Sequence, residues 1–410
     1  MQRIFTLAFA KKKPSKPLSR RLRPFYDEIV FRKIKADSTS RIRTLHTLLA
    51  GRPGLGAHIR ELVIEEADAK SCLSLAEIKA VFGCLTNLQV LSLRVHGPEW
   101  LEAALPEGAG AKTALPISTV SLTIVASATQ RSDAYDPVRL GALTQLPNLT
   151  KLALDFRSKY KAPEASIAPE FDLVLPNVTN LSVGLPKVPS SVNAFVGRFP
   201  HVRKLTLASH ADAPDFATAL ASIKSPAEVV ELIIKASPKT GWRFPDELAA
   251  FGSLDSLVLA GQFQHLKSDA YKALGNTPIS TLAVAKKSDI SANALIALLG
   301  DEGVCPTIKT LRLNNLFAKA PRHPPHQSVF HLIQMAMDPL EILDEFVLPQ
   351  WTTAFTGFKF HELEHAAKEA GVNIKGSVLE AMKIQAEFNS SAEMVREWDE
   401  QEADETECWA

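Results

Sequence analysis

The chain has 410 residues, of which 46% are hydrophobic and 22% charged, and its mean hydropathy is close to zero. That supply of apolar residues excludes wholesale disorder, and a compact chain of this length would ordinarily split into domains unless it ran on as a solenoid. A net charge of +1 argues against a nucleic-acid-binding protein as a whole, because phosphate binding needs a concentrated basic field.

That mean conceals two polar ends. Residues 1–26 carry Arg3, Lys11, Lys12, Lys13, Lys16, Arg20, Arg21 and Arg23 and no acid. Residues 390–410 set eight acids against Arg396. Like charges at such density resist packing, so the expected layout is a basic tail over 1–24, a folded body over 25–375, and a helical to disordered acidic tail over 376–410. The opening IFTLAFA is followed by Lys11–Lys13 without a small-residue cleavage site, so a secretory signal is not expected. A mitochondrial presequence is the rival reading of this basic stretch, beside a nuclear-import patch or a solvated tail. Cys72, Cys84, Cys305 and Cys408 form no CxxC pair and read as free thiols of the cytoplasm or nucleus. No stretch is apolar over the length of a membrane span.

Along the body one phrase recurs, L-x-x-L-x-L. Its first apolar position falls at Tyr26, Ile59, Leu88, Ile117, Leu149, Val178, Val202, Val229, Leu254, Ile279, Ile308 and Leu343, with separations of 24 to 35 residues. The clearest copies are LTNLQVLSL (85–93), LPNLTKLAL (146–154), LPNVTNLSV (175–183), FPHVRKLTL (199–207) and FGSLDSLVL (251–259). Alternation in L-x-L puts both leucines on one side of a short strand. Between phrases, helical periodicity predicts helices in 74–85, 136–146, 191–199, 215–223, 291–300 and 328–337, several opening at a capping Ser or Asp. GRPGLG (51–56) lacks the Lys-Ser/Thr of a nucleotide loop and runs into AHIRELVI, so it reads as a helix-to-strand turn. A helix over 358–370 should end at Gly371, with a closing strand at Val372–Ile374.

The predicted fold is therefore α/β: a leucine-rich-repeat-like solenoid of about 12 strand–helix units, with a parallel sheet on its concave face. The variable positions of the phrase would form that face. Their charged members are Glu28, Arg32, Glu61, Glu65, Arg94, Lys151, Asp155, Lys204, Glu231, Lys235, Arg312 and Glu345, six acids and six bases, and none of the 36 positions is aromatic. A neutral face without stacking rings suits neither RNA nor DNA, which leaves a protein partner, no membrane contact and a monomeric chain as the expectation. Arg94, Lys151, Asp155, Lys204, Lys235 and Arg312 are the candidate contacts, beside the rim loops 105–116 and 317–327.

The LPNLxxLxL run, preceded by PLSRRLRPFYDEIVFR at 17–32, resembles the divergent fungal F-box-like leucine-rich-repeat proteins over roughly residues 17–375. The resemblance implies a ribonuclease-inhibitor-like solenoid serving as substrate receptor of a ubiquitin ligase, with the ligase adaptor as a partner. Two departures stand out. The Asn or Cys expected shortly after L-x-L is inconsistent, and residues 1–16 carry no three-helix F-box pattern.

One motif points to other chemistry. HELEH at 361–365 matches H-E-x-x-H, in which His361 and His365 would bind zinc on one helix face and Glu362 would activate water. Against this, Glu364 puts a charge inside the motif, and no histidine follows 365 to complete the ligands. Phe360, Leu363, Ala367 and Ala370 also make an ordinary apolar stripe with Glu364–Lys368 on the wet side. The expectation is a non-enzymatic chain without cofactor, with a zinc metallohydrolase as the alternative.

Overall fold

The computed structural model describes residues 23–65, 73–95, 115–125, 146–157, 174–185, 196–209, 214–239, 241–263, 266–285, 307–313, 344–347, 367–369 and 371–375, with single positions 100, 103, 143, 288, 298, 305 and 365. The chain divides into two compact units, Met1–Ser209 with Thr218–Ser225, and His210–Ala217 with Pro226–Ala410.

In the first unit seven strands follow one another: β1 (Lys33–Ala36), β2 (Glu61–Glu65), β3 (Val90–Val95), β4 (Thr119–Val125), β5 (Lys151–Arg157), β6 (Asn180–Leu185) and β7 (Lys204–Ser209). Each pairs in parallel with the next. The second unit repeats the arrangement with β8 (Glu231–Ala236), β9 (Ser256–Gly261), β10 (Thr281–Val284), β11 (Thr310–Leu313), β12 (Glu345–Val347) and β13 (Asn373–Lys375). There too every neighbouring pair is parallel. The chain is thus an α/β protein, and within each unit the strands lie side by side in sequence order.

The phrase explains this order. From Ile59 to Ile308 its first position is buried in every repeat, never more than 3% exposed. The paired residues of L-x-L are buried as well, from Leu62 and Ile64 to Leu257 and Leu259. Each buried leucine contributes about 2 kcal/mol, and only against its neighbours in the next repeat.

A second regularity sits just ahead of β2–β7 and β9–β12. The Arg32 carbonyl accepts both Arg60 N–H and Glu61 N–H, at 2.9 and 3.0 Å, and the Arg60 carbonyl likewise accepts Gln89 and Val90. The pattern continues to Thr179, whose carbonyl takes Arg203 and Lys204. In the second unit the Val230, Asp255, Ser280 and Lys309 carbonyls each accept two such donors. Serine and threonine hydroxyls add to it: Thr150 Oγ1 donates to Ser118 O at 3.2 Å.

Asparagine supplies a further tie. Asn87 Nδ2 donates to Ala57 O at 2.9 Å, and Asn177 Nδ2 to Pro147 O at 2.8 Å. Both stand one residue ahead of the phrase, on the opposite side from the position where the resemblance places its asparagine.

The first predicted strand is displaced. Tyr26–Phe31 lies in helix α1 (Arg23–Phe31), and the register Ile34↔Leu62 and Ala36↔Ile64 makes Phe31 the true phrase start. Pro24 near the helix start favours that state, since its fixed φ and missing N–H suit a first turn. Glu28 therefore sits on a helix and Arg32 ahead of β1, and the face residues there are Lys33 and Lys35.

The connections vary with repeat length. Helix α2 (Thr39–Gly51) is capped by Ser38 and leads through a 3₁₀ turn, Pro53–His58, into β2, so GRPGLG is the expected helix-to-strand connection. Helix α3 (Leu75–Gly83) opens with a full capping box between Ser74 and Glu77. Where the phrase separation shrinks to 24–27 residues, the connection contracts. Of the expected helix at 191–199, Val196–Arg198 form a 3₁₀ turn and 191–195 lie outside the described residues, while the helix expected at 215–223 shortens to a five-residue α4 (Ala217–Ala221). Further 3₁₀ helices run over Asp246–Ala250 and Ser268–Asn276. A 3₁₀ helix rises about 2.0 Å per residue against about 1.5 Å for an α-helix, so fewer residues span the same return. The segments predicted helical at 136–146, 291–300 and 328–337 lie, apart from Leu143, Leu146 and Leu298, outside the described residues, as do both charged tails apart from Arg23 and Pro24. Gly371 has φ +70° and leads into β13, which is the expected helix end and closing strand.

Candidate functional site: the outward strand face

Side chains opposite the buried leucines form three rows across each unit. In the first unit the row at the strand starts reads Lys33, Glu61, Val90, Thr119, Lys151, Asn180 and Lys204. The middle row is small from β3 onward, where Ser92, Ser121, Ala153, Ser182 and Thr206 follow Lys35 and Val63. The third runs Glu65, Arg94, Thr123 and Asp155. Successive members stand about 4.8 Å apart, the strand spacing.

Four of the predicted contacts meet on this surface. Lys151 and Lys204 flank Asn180 in one row, while Arg94 and Asp155 flank Thr123 in another. Arg94 and Lys151 are exposed, and Asp155 and Lys204 half-buried. Asp155 bends toward the next strand, where a Cβ on Gly184 would stand 2.7 Å from its Oδ1. That glycine makes room for the carboxylate.

Charges at the start of the sheet are already paired. Lys33 Nζ lies 2.5 Å from Glu61 Oε1, and Lys35 Nζ lies 3.3 Å from Glu65 Oε1. Each pair is at least half exposed on its lysine, so it fixes geometry more than it stabilises.

In the second unit the starting row is Glu231, Ser256, Thr281, Thr310, Glu345 and Asn373. The middle row is Ile233, Val258, Ala283, Arg312, Val347 and Lys375, apolar over its first three members. Lys235 is exposed opposite Ala260. Arg312 lies three strands away from β8, so these two predicted contacts do not come together. Arg312 joins a different group. Its Nη2 is 4.0 Å from Glu345 Oε1, and Lys375 Nζ is 2.6 Å from Glu345 Oε2. The Lys375 hydrogen bond holds the Glu345 carboxyl below the usual glutamate range, against a smaller opposing effect of burial.

The rim loops 105–116 and 317–327 lie outside the described residues except for 115–116. Another rim feature was not foreseen: a pocket of about 460 Å³ in the second unit, lined by residues of 214–217, 242–247 and 269–273. Its loops carry no repeat phrase, so periodicity is silent there. The one usable signal was the aromatic cluster Phe216, Trp242, Phe244.

For the metal reading, His365 is exposed on a helical segment with Nδ1 3.4 Å from Glu369 Oε2. His361 and Glu362 lie outside the described residues. Among the described residues no group of three or more His, Cys, Asp or Glu is placed to hold a metal, and no helix is long and apolar enough to cross a membrane. Cys84 and Cys305 are free thiols.

Comparison with known proteins adds no family: no family model matches the chain, and no curated protein matches it.

Proposed function

We propose that the chain is a non-catalytic protein-interaction scaffold, a leucine-rich-repeat-like solenoid of about twelve strand–helix units whose sheet lines a concave docking face. It acts in the cytoplasm or nucleus as a monomer and recognises a protein partner through side chains held at strand spacing. The observation that carries this reading is the in-register stacking of outward rows, with Lys151, Lys204, Arg94 and Asp155 on one surface. Side chains fixed to a rigid sheet lose little entropy on binding, which favours recognition without catalysis. The resemblance at 17–32 and in the repeat phrase supports a narrower role, substrate recognition for an F-box-like ubiquitin ligase receptor.

Affinity purification of the tagged full chain, quantified by mass spectrometry, tests both levels. The Lys151→Glu, Lys204→Glu double variant should lose its partner at least about tenfold while melting like the parent, since like charges placed against a complementary surface repel. Partners retained undiminished by this variant and by Arg94→Glu would remove the face from the reading. Ligase adaptor subunits should co-purify if the narrower role holds; partner recovery without them leaves the scaffold alone.

A further inference from the structure

The pocket of the second unit is built by three successive repeats. Phe216 and Phe244 are 1% and 3% exposed and form its floor. Trp242 stands between them, edge-on to both, with ring centroids 5.9 and 4.9 Å away. Its indole Nε1 donates to the Pro214 carbonyl at 2.8 Å, which pins the ring at the opening. Behind the floor Phe244 touches Tyr271 at 5.4 Å. The aromatic wall is thus fixed from two sides before any ligand arrives.

The rim is charged. Asp215, Asp246, Glu247 and Asp269 face Arg243 and Lys272. Arg243 Nη2 lies 2.7 Å from Asp269 Oδ2, so those two largely cancel. Beside that pair the lining sets the Asp246 and Glu247 carboxylates against one ammonium, Lys272. The volume of about 460 Å³ falls in the range of ligand pockets. An anion would meet an excess of like charge, and a neutral apolar group would strip water from carboxylates without compensation. A planar or alkylated cation gains twice, from the indole face and from the carboxylates.

We propose that this pocket binds an organic cation, a guanidinium or alkylammonium group, against Trp242 and beside Asp246 and Glu247. The group is carried by an arginine or lysine of a protein or is a free polyamine. None of these residues belongs to the outward strand face, so the site stands or falls separately from the scaffold reading.

Calorimetric titration of the full chain with Nα-acetyl-arginine methylamide, with putrescine and with inorganic phosphate decides it. The two cations should bind saturably, with Kd of about 1 mM or tighter, and phosphate should not. The Asp246→Asn, Glu247→Gln double variant should weaken the cations about fivefold or more, and Lys272→Gln, at an exposed position, should tighten them about twofold. Trp242→Phe keeps a ring at the opening and should also weaken binding, with its melting curve reporting the fold. An arginine-containing peptide binding about tenfold tighter than the amide assigns the cation to a protein; equal affinity assigns it to a free ligand. No saturation by either cation, preference for phosphate, or unchanged affinity in both the double variant and Lys272→Gln would overturn the proposal.

Discussion

Gly261, at the end of β9, lies opposite Ala236 of β8 so closely that a Cβ would overlap the Ala236 carbonyl. Its φ of +135° belongs to a region that side-chain-bearing residues rarely enter. Gly261 N–H donates to Ser288 Oγ at 2.8 Å, and Gln262 N–H returns to the Ala236 carbonyl at 3.1 Å. The strand end turns sharply here because a hydrogen atom occupies the place of a side chain.

Gly261→Ala should therefore cost about 3 kcal/mol or more, because strain and overlap act together. Gly252→Ala is the control, with nothing within 4 Å of the added carbon, and should change stability by about 0.5 kcal/mol at most. Urea unfolding of both variants checks the contrast.

Asn87→Ala removes a donor to the Ala57 carbonyl of the preceding repeat. The bond is partly buried, so its loss should cost about 1–2 kcal/mol. The urea midpoint should fall without a change in m-value.

Ser74 caps α3, and Ser74→Ala should lower stability by about 1 kcal/mol. Hydrogen bonds from the Ser74 backbone and hydroxyl hold the Glu77 carboxyl below its usual range. A carboxyl with a lowered folded value stabilises the chain above the ordinary glutamate range, and that contribution fades as the pH falls through the folded value. Unfolding midpoints of parent and Ser74→Ala should draw closer as the pH falls, leaving the part due to Ser74 Oγ accepting the Glu77 N–H.

Glu345 follows the same sign, held down by Lys375. Glu345→Gln should destabilise modestly near neutrality, and the difference from the parent should shrink as the pH falls through the lowered folded value of the glutamate. Denaturation series at neutral and acidic pH test this.

Cys305 is 3% exposed, and burial pushes its thiol up to about 12, whereas Cys84 is half-buried. In the native chain at about pH 8, iodoacetamide should modify Cys84 well before Cys305, since only the accessible thiolate reacts. Peptide mass spectrometry should show the order vanish in denaturant.

The strands were legible because burial forces leucine at the three positions that face the core, and Leu62, Leu91, Leu152 and Leu257 obey it. The phrase failed at Tyr26–Phe31, where apolar residues at 25 and 29 fit a helical turn as well as a strand, and where β1 offers only Ala36 as its last inward residue. Helix type was harder still. Near the second unit's start, short repeats leave room for 3₁₀ turns, a length effect that apolar spacing alone does not carry. The face residues followed from alternation, but whether they meet depended on strand distance: Lys151 and Lys204 do, Lys235 and Arg312 do not. The Trp242 pocket lay in loops whose residues share no phrase, so only their stacking reveals it.

The carbonyls that accept two donors ahead of β2–β7 and β9–β12 have a consequence for how such a chain can change. In these repeats alignment is reset by a backbone contact at the strand's start, independent of the number of residues spent since the last one. Separations as different as 24 and 35 residues can therefore coexist without slipping the leucines out of the core. Loops between the clamps are free to be lengthened, shortened or rewritten, and new binding surfaces can be tried on the rim while the sheet keeps its count.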